Sequence, residues 1–147
     1  MYKVLTITIL FVILLAGCGT AEPSGATTAA ATDVVAVWSR SGGIAGSDDR
    51  MTVYADGRIQ VEGSGATSTV QGDAAAIEAL RQRVTGSEWR SLDESYGEQF
   101  PDAFAYTIEA GGKTVRTYDG AEMPAALEDV LQQTNSLYDA ASQIRGP

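Results

Sequence analysis

The stretch Met51-Thr52-Val53-Tyr54-Ala55-Asp56-Gly57-Arg58-Ile59-Gln60-Val61-Glu62 decides the fold. Two runs of alternating apolar and polar residues flank Asp56-Gly57, the pattern of a β-hairpin. Two registers compete. A two-residue turn would set Tyr54 opposite Ile59 and Val53 opposite Gln60, mixing apolar and polar side chains on each face. A three-residue loop, Ala55-Asp56-Gly57 with Gly57 left-handed, sets Val53 opposite Ile59 and Met51 opposite Val61. Met51, Val53, Ile59 and Val61 then share one face, and Thr52, Tyr54, Arg58 and Gln60 share the other. A sheet that buries one face needs the second register.

Working outward, residues 34–38 read Val-Val-Ala-Val-Trp, apolar on both faces, as an interior strand does. Residues 39–49 read as loop. After the hairpin, Gly63-Ser64-Gly65 is a turn and residues 67–71 form a further strand. Asp73 caps a helix running to about Val84, with Ala76, Ile77, Leu80 and Val84 on one stripe and Gly86 just past its end. Ser87 starts one more turn carrying Trp89 and Leu92. Residues 93–103 read as loop. A second hairpin spans residues 104–118 about Gly111-Gly112. A two-residue turn there places Ile108 opposite Val115 and Tyr106 opposite Thr117. Pro124 opens a last helix at its first turn. Leu127, Val130, Leu131, Thr134, Leu137, Tyr138 and Ala141 then repeat at helical spacing. This order predicts an α+β fold: an antiparallel sheet of about five to six strands built from hairpins, with two main helices packed on it.

The chain before residue 34 has another character. Lys3 precedes an uncharged apolar run over residues 5–15, too short to span a bilayer but the length of a signal-peptide core. Leu15-Ala16-Gly17-Cys18 follows, and it resembles a bacterial lipobox. The resemblance implies cleavage after residue 17, a diacylglyceryl group on the Cys18 sulfur, and attachment to a membrane on its extracytoplasmic side. Two acyl chains, at about 0.8 kcal/mol per buried CH₂, suffice for stable anchoring. Residues 19–33 are small, polar and aperiodic, as in a flexible tether. The expected organisation is a signal peptide at 1–17, a lipidated cysteine and tether at 18–33, and a folded domain at 34–147.

Composition narrows the function. Without residues 1–17 the chain keeps nine cations against nineteen anions, a net charge of −10. Such a chain repels nucleic acid and anionic headgroups, so the lipid on Cys18 is its expected membrane contact and no nucleic-acid partner is expected. Cys18 is the only cysteine and there is no histidine. Ser-His-Asp triads, Cys-His pairs and histidine-built zinc sites are therefore excluded, and neither an enzymatic activity nor a cofactor is expected.

Three features could carry chemistry. The most distinctive is Ser41-Gly42-Gly43-Ile44-Ala45-Gly46, whose three glycines permit positive φ and close approach of another chain. Residue chemistry leaves three readings of it. Ile44 folds back into the core beneath a plain connection, the commoner outcome; or Ile44 stands exposed for a partner to receive; or the loop is an anion nest, helped by Arg40 and Arg50 and opposed by Asp48 and Asp49. The second feature is the loop with Asp93, Glu94, Glu98 and Asp102. A glycosidase would need two such carboxylates at a set separation, whereas a solvated acidic surface needs nothing further. The third is Lys113, the only lysine left after residue 17, placed beside a hairpin turn where an exposed lysine is expected.

Three motifs in order resemble the emfourin-like family. They are a first strand running into Ser41–Gly46, the segment Phe104-Ala105-Tyr106-Thr107-Ile108 with its Gly-Gly turn, and Asp119-Gly120 followed by Pro124 and Leu127. The likeness spans about Trp38 to Tyr138. These are small bacterial proteins named for an inhibitor of protealysin, a thermolysin-like zinc metallopeptidase. The resemblance implies inhibition of a secreted zinc metallopeptidase. With no histidine or free cysteine to capture the zinc strongly, the expected mechanism is occlusion of the cleft, and the apolar tip and glycine-rich shape of Ser41, Gly42, Gly43, Ile44, Ala45 and Gly46, not the family, single them out as the inhibitory or partner-binding loop. The family also has lipoprotein-like members of unknown role, which leaves open an envelope-binding module without a protease target.

Overall fold

The computed structural model describes residues 33–144; the expected signal peptide, Cys18 and the expected tether as far as residue 32 lie outside them. The strands are β1 (Val34–Gly42), β2 (Ser47–Tyr54), β3 (Arg58–Gly63), β4 (Ala66–Gln71), β5 (Ser95–Tyr96), β6 (Phe104–Ala110) and β7 (Lys113–Tyr118). The helices are α1 (Ala74–Thr85), α2 (Ser87–Arg90) and α3 (Ala125–Gln143). The architecture is α+β, with the strands in one sheet of order β4-β3-β2-β1-β6-β7-β5.

Both hairpins take the registers that burial demands. Val53 lies opposite Ile59 and Met51 opposite Val61, with Gly57 at φ +93°. Ile108 lies opposite Val115 and Tyr106 opposite Thr117. Met51, Val53, Ile59, Val61, Ile108 and Val115 are all buried, so one face of the sheet is the floor of the core. Helices cover that face: Ile77, Leu80 and Val84 of α1, Trp89 of α2, and Leu127, Val130 and Leu137 of α3 join the same cluster. The Asp73 carboxylate accepts from the Ala76 N–H at 2.7 Å, capping α1 as its position implies. Pro124 stands one residue before α3 in extended backbone (ψ 147°), so it caps the helix instead of forming its first turn.

Three further expectations need correction. The sheet has seven strands, not five or six. It is mixed, because β5 lies within the stretch read as loop and pairs in parallel with β7, Ser95 beside Arg116 and Tyr96 beside Thr117. The stretch 39–49 is not loop throughout: β1 continues to Gly42 and β2 begins at Ser47, leaving residues 43–46 as the turn. Ser39, Arg40 and Ser41 stay extended because β1 is held on both sides, by β2 and by β6. Ladder bonds on both edges outweigh the weak strand preference of these polar side chains.

β1 is the central strand and it sets the polarity of the domain. Asp33 sits at one end, where its carbonyl accepts from the Ala55 N–H at 2.8 Å. Gly42 sits at the other, level with Ser47 and Phe104. A bulge between Val34 and Ala36 turns both Val35 and Ala36 inward, 6% and 1% exposed.

Candidate functional site

The site is the β1–β2 turn and the segments that brace it. Gly43 donates its N–H to the Ala103 carbonyl at 3.3 Å, tying the turn to the chain entering β6. Gly46 donates to the Gly43 carbonyl at 3.1 Å, closing the turn on itself. Gly43 has φ +70°, and a Cβ there would lie 2.6 Å from two atoms of the Phe104 ring. The turn therefore rests on an aromatic plate that only glycine can approach this closely.

With its backbone fixed in this way, the turn sends Ile44 outward. Ile44 is 92% exposed, more than any other large apolar side chain among the described residues. Folding back into the core is not what Ile44 does. Of the other members, Ser41, Ala45 and Gly46 are exposed, whereas Gly42 and Gly43 are half-buried against residues 103 and 104.

A second loop lies beside the turn. Phe100-Pro101-Asp102-Ala103 is a β-turn closed by an Ala103 N–H to Phe100 carbonyl bond of 3.3 Å, with Asp102 at φ +66°. Proline at its second position and positive φ at its third make it type II. Phe100 is 59% exposed on this turn. Phe104 is locked to Asp119 twice: its N–H donates to Asp119 Oδ2 at 3.0 Å, and its carbonyl accepts from the Asp119 N–H at 3.0 Å. Ile44 and Phe100 thus stand on adjacent, mutually braced turns at the end of the sheet far from Asp33.

Beneath the tip lies a charged pair that closes the core. Arg40 follows Trp38 on the inward face of β1, and Asp49 precedes Met51 on the inward face of β2. Their side chains meet: Arg40 Nε and Nη2 donate to Asp49 Oδ2 at 3.2 and 2.7 Å. The guanidinium carbon lies 5.1 Å from the Phe104 ring centroid, 5.3 Å from Tyr138 and 5.8 Å from Trp38. A cation held over three π faces is stabilised by each ring quadrupole. Burial, with the Asp49 carboxylate beside it, pushes the Tyr138 phenol above its ordinary value. Burial and the charge of Asp119 do the same for Tyr106. Because Arg40 is committed to Asp49, it is not held open for an external anion, which removes the main support for a nest. Arg40 and Asp49 fall in the stretch read as loop, yet counting two residues on from Trp38 and two back from Met51 puts both on the inward face of the sheet.

The other candidates are dispersed. Asp93, Glu94, Glu98 and Asp102 are all exposed. Among the described residues no three acidic side chains gather as a group that could hold a metal ion. Lys113 donates to the Arg90 carbonyl at 3.2 Å and to the Leu92 carbonyl, so it caps the end of α2. The tip therefore has the geometry of an apolar projection on a rigid base.

Comparison with protein-family models and with curated proteins gives no match for this chain.

Proposed function

We propose that this chain is a bacterial lipoprotein, held at the extracytoplasmic face of a membrane by lipid on Cys18, whose domain inhibits thermolysin-like zinc metallopeptidases. The observation that carries the reading is the exposure of Ile44, 92%, on a turn clamped at Gly43 and backed by Phe104. The emfourin-like pattern of the sequence supports it. In this mechanism the β1–β2 turn enters the substrate cleft and Ile44 fills an apolar subsite of the kind these enzymes use for a hydrophobic side chain. Rigidity favours inhibition, because a turn already held in its bound shape loses little entropy on docking. Without histidine or a free thiol, the chain acts by occlusion, and it performs no catalysis itself.

The test is to assay residues 18–147, produced without the leader and with Cys18→Ser, against several thermolysin-like peptidases. Inhibition is expected. No inhibition of any of them at high micromolar concentration sinks the proposal.

A second reading, an envelope interaction module with no protease target, is favoured by the open sheet face. Thr52, Gln60, Thr107 and Arg116 line that face away from the helices, and an occluding turn makes no use of it. Co-purification of envelope proteins together with indifference to peptidases would select this reading.

A further inference from the structure

We infer that β4 is a self-association edge, through which two copies of this chain join their sheets in antiparallel register. β4 is the outer strand of the sheet, paired with β3 and with no strand beyond it among the described residues. The two-residue turn Ser64-Gly65, both at positive φ, closes on the pair Gly63 and Ala66. Alternation along an antiparallel ladder then directs the N–H and C=O groups of Ala66, Ser68 and Val70 to β3. Those of Thr67, Thr69 and Gln71 point outward from the sheet.

Natural edge strands discourage further pairing with lysine, proline, inward charge, bulges or extreme shortness. The opposite edge uses the last of these, since β5 is only two residues long. β4 uses none of them: it is six residues, Ala-Thr-Ser-Thr-Val-Gln, in unbroken register with β3. Residues 63–72 carry no charge, in a chain with 29 charged side chains and a net charge of −9. Repulsion between like copies opposes most faces of so acidic a protein, and it is weakest here.

The occupant that fits this edge is a second copy. About a two-fold axis at Thr69, Thr69 faces its own equivalent and Thr67 faces Gln71 of the other copy. These side chains lie on the open face and are neutral in both. Ser68 faces Val70 on the inner face. One strand further in, Arg58 lies beside Gln71 and Glu62 beside Thr67. The two open-face rows flanking the axis therefore run from Arg58 of one copy to Glu62 of the other, opposite in sign, and the row on the axis runs from Gln60 to Gln60, both neutral. Main-chain bonds at Thr67, Thr69 and Gln71 would carry the pairing, the mode by which extended peptides add to exposed sheet edges.

The experiment uses residues 18–147 with Cys18→Ser, which removes the only native thiol. Sedimentation equilibrium is expected to show a reversible monomer–dimer equilibrium at concentrations up to about 1 mM, the effective-concentration range of tethered partners. Thr69→Pro deletes one outward N–H and no bond to β3, so it should keep the native circular dichroism and melting temperature yet sediment as a monomer. As an independent readout, Thr69→Cys should oxidise to a disulfide-linked dimer at least tenfold faster than Thr114→Cys, an exposed position on β7. Adding Thr67→Lys should abolish that difference. A chain that stays monomeric at about 1 mM, with or without a foreign strand on β4, overturns the inference. So does a dimer that survives Thr69→Pro, or equal oxidation rates at the two cysteines.

Discussion

Arg40 and Asp49 face each other across the β1–β2 ladder, and both donors of the guanidinium edge converge on one carboxylate oxygen, Oδ2. The pair occupies the inward-facing level of the sheet next to Gly42 and Ser47, which end the ladder at the β1–β2 turn. Its side chains are 28% and 12% exposed, so removing one partner strands the other in a partly desolvated place. Gly63 makes room for the second oxygen, since a Cβ there would lie 2.6 Å from Asp49 Oδ1.

Arg40→Ala should therefore destabilise the domain by about 3 kcal/mol, the low end for a broken buried pair, with lost packing against three rings included. Asp49→Asn, which keeps the shape and an acceptor, should cost less. Urea unfolding of both single variants and the double variant gives the coupling between them. An Arg40→Ala variant as stable as the parent would show that the pair is not what closes this end of the core.

Glycine at 43 and at 46 should differ. Both have positive φ, but an added methyl at Gly46 meets nothing within 4 Å, whereas at Gly43 it meets the Phe104 ring. Gly46→Ala should cost about 1 kcal/mol, the strain of a left-handed alanine. Gly43→Ala should cost more and should loosen the turn, seen as faster amide exchange at residue 43 itself.

Ile44→Asp separates function from folding. At 92% exposure its side chain contributes little to the core, so the melting temperature should shift by less than about 0.5 kcal/mol in stability terms. Inhibition, by contrast, should fall by at least tenfold, because a carboxylate cannot enter an apolar subsite without losing its water. Full inhibition by this variant would remove the turn from the mechanism while leaving the inhibitor reading intact.

Trp89 ties the helical layer to the second hairpin, its Nε1–H donating to the Ala110 carbonyl at 3.0 Å in a buried setting. Trp89→Phe should cost about 1–3 kcal/mol by leaving that carbonyl unpaired. Chemical denaturation monitored by far-UV circular dichroism would measure it. No loss would mean that water replaces the indole.

The acid and alkaline limbs of stability should have identifiable sources. The Glu78 carboxyl is lowered to about 2 from 4.5, chiefly by hydrogen bonds from Arg81 and then Gln82. A depressed folded-state value gives stability that is present above 4.5 and lost as pH falls towards 2. The gap in melting temperature between the parent and Arg81→Gln should accordingly close over that window. Tyr106 and Tyr138 are raised above 10.0, so their contribution is present below that pH and is lost as pH climbs through their folded values. Tyr138→Phe should flatten the alkaline limb, and ultraviolet titration of tyrosinate should show late-ionising phenols that convert on unfolding.

Both hairpin registers were legible in the sequence because each had one pairing that buried a clean apolar face, as with Met51, Val53, Ile59 and Val61. The α1 stripe and its Asp73 cap were legible for the same local reasons. The full length of β1 was not. Ser39, Arg40 and Ser41 have little strand character of their own and are held by neighbours from distant parts of the chain. β5 was invisible because two residues carry no periodicity, and only the passing edge of β7 makes them a strand. At the tip, the glycines of Ser41–Gly46 announced a special backbone, but the direction of Ile44 depends on the Phe104 plate and the Ala103 carbonyl, some sixty residues later in the chain.

The run of β1 from Asp33 to the turn bearing Ile44 has a mechanical consequence. The strand is nine residues long, about 30 Å from end to end at strand rise. A protein held from its N-terminal side and gripped at Ile44 would be pulled along this axis. The covalent backbone of β1, already extended between the two points, would then bear the pull, and its bonds to β2 and β6 would be spared. The central strand is thus a tension rod, and the load path between the two ends of the domain runs through its best-supported element.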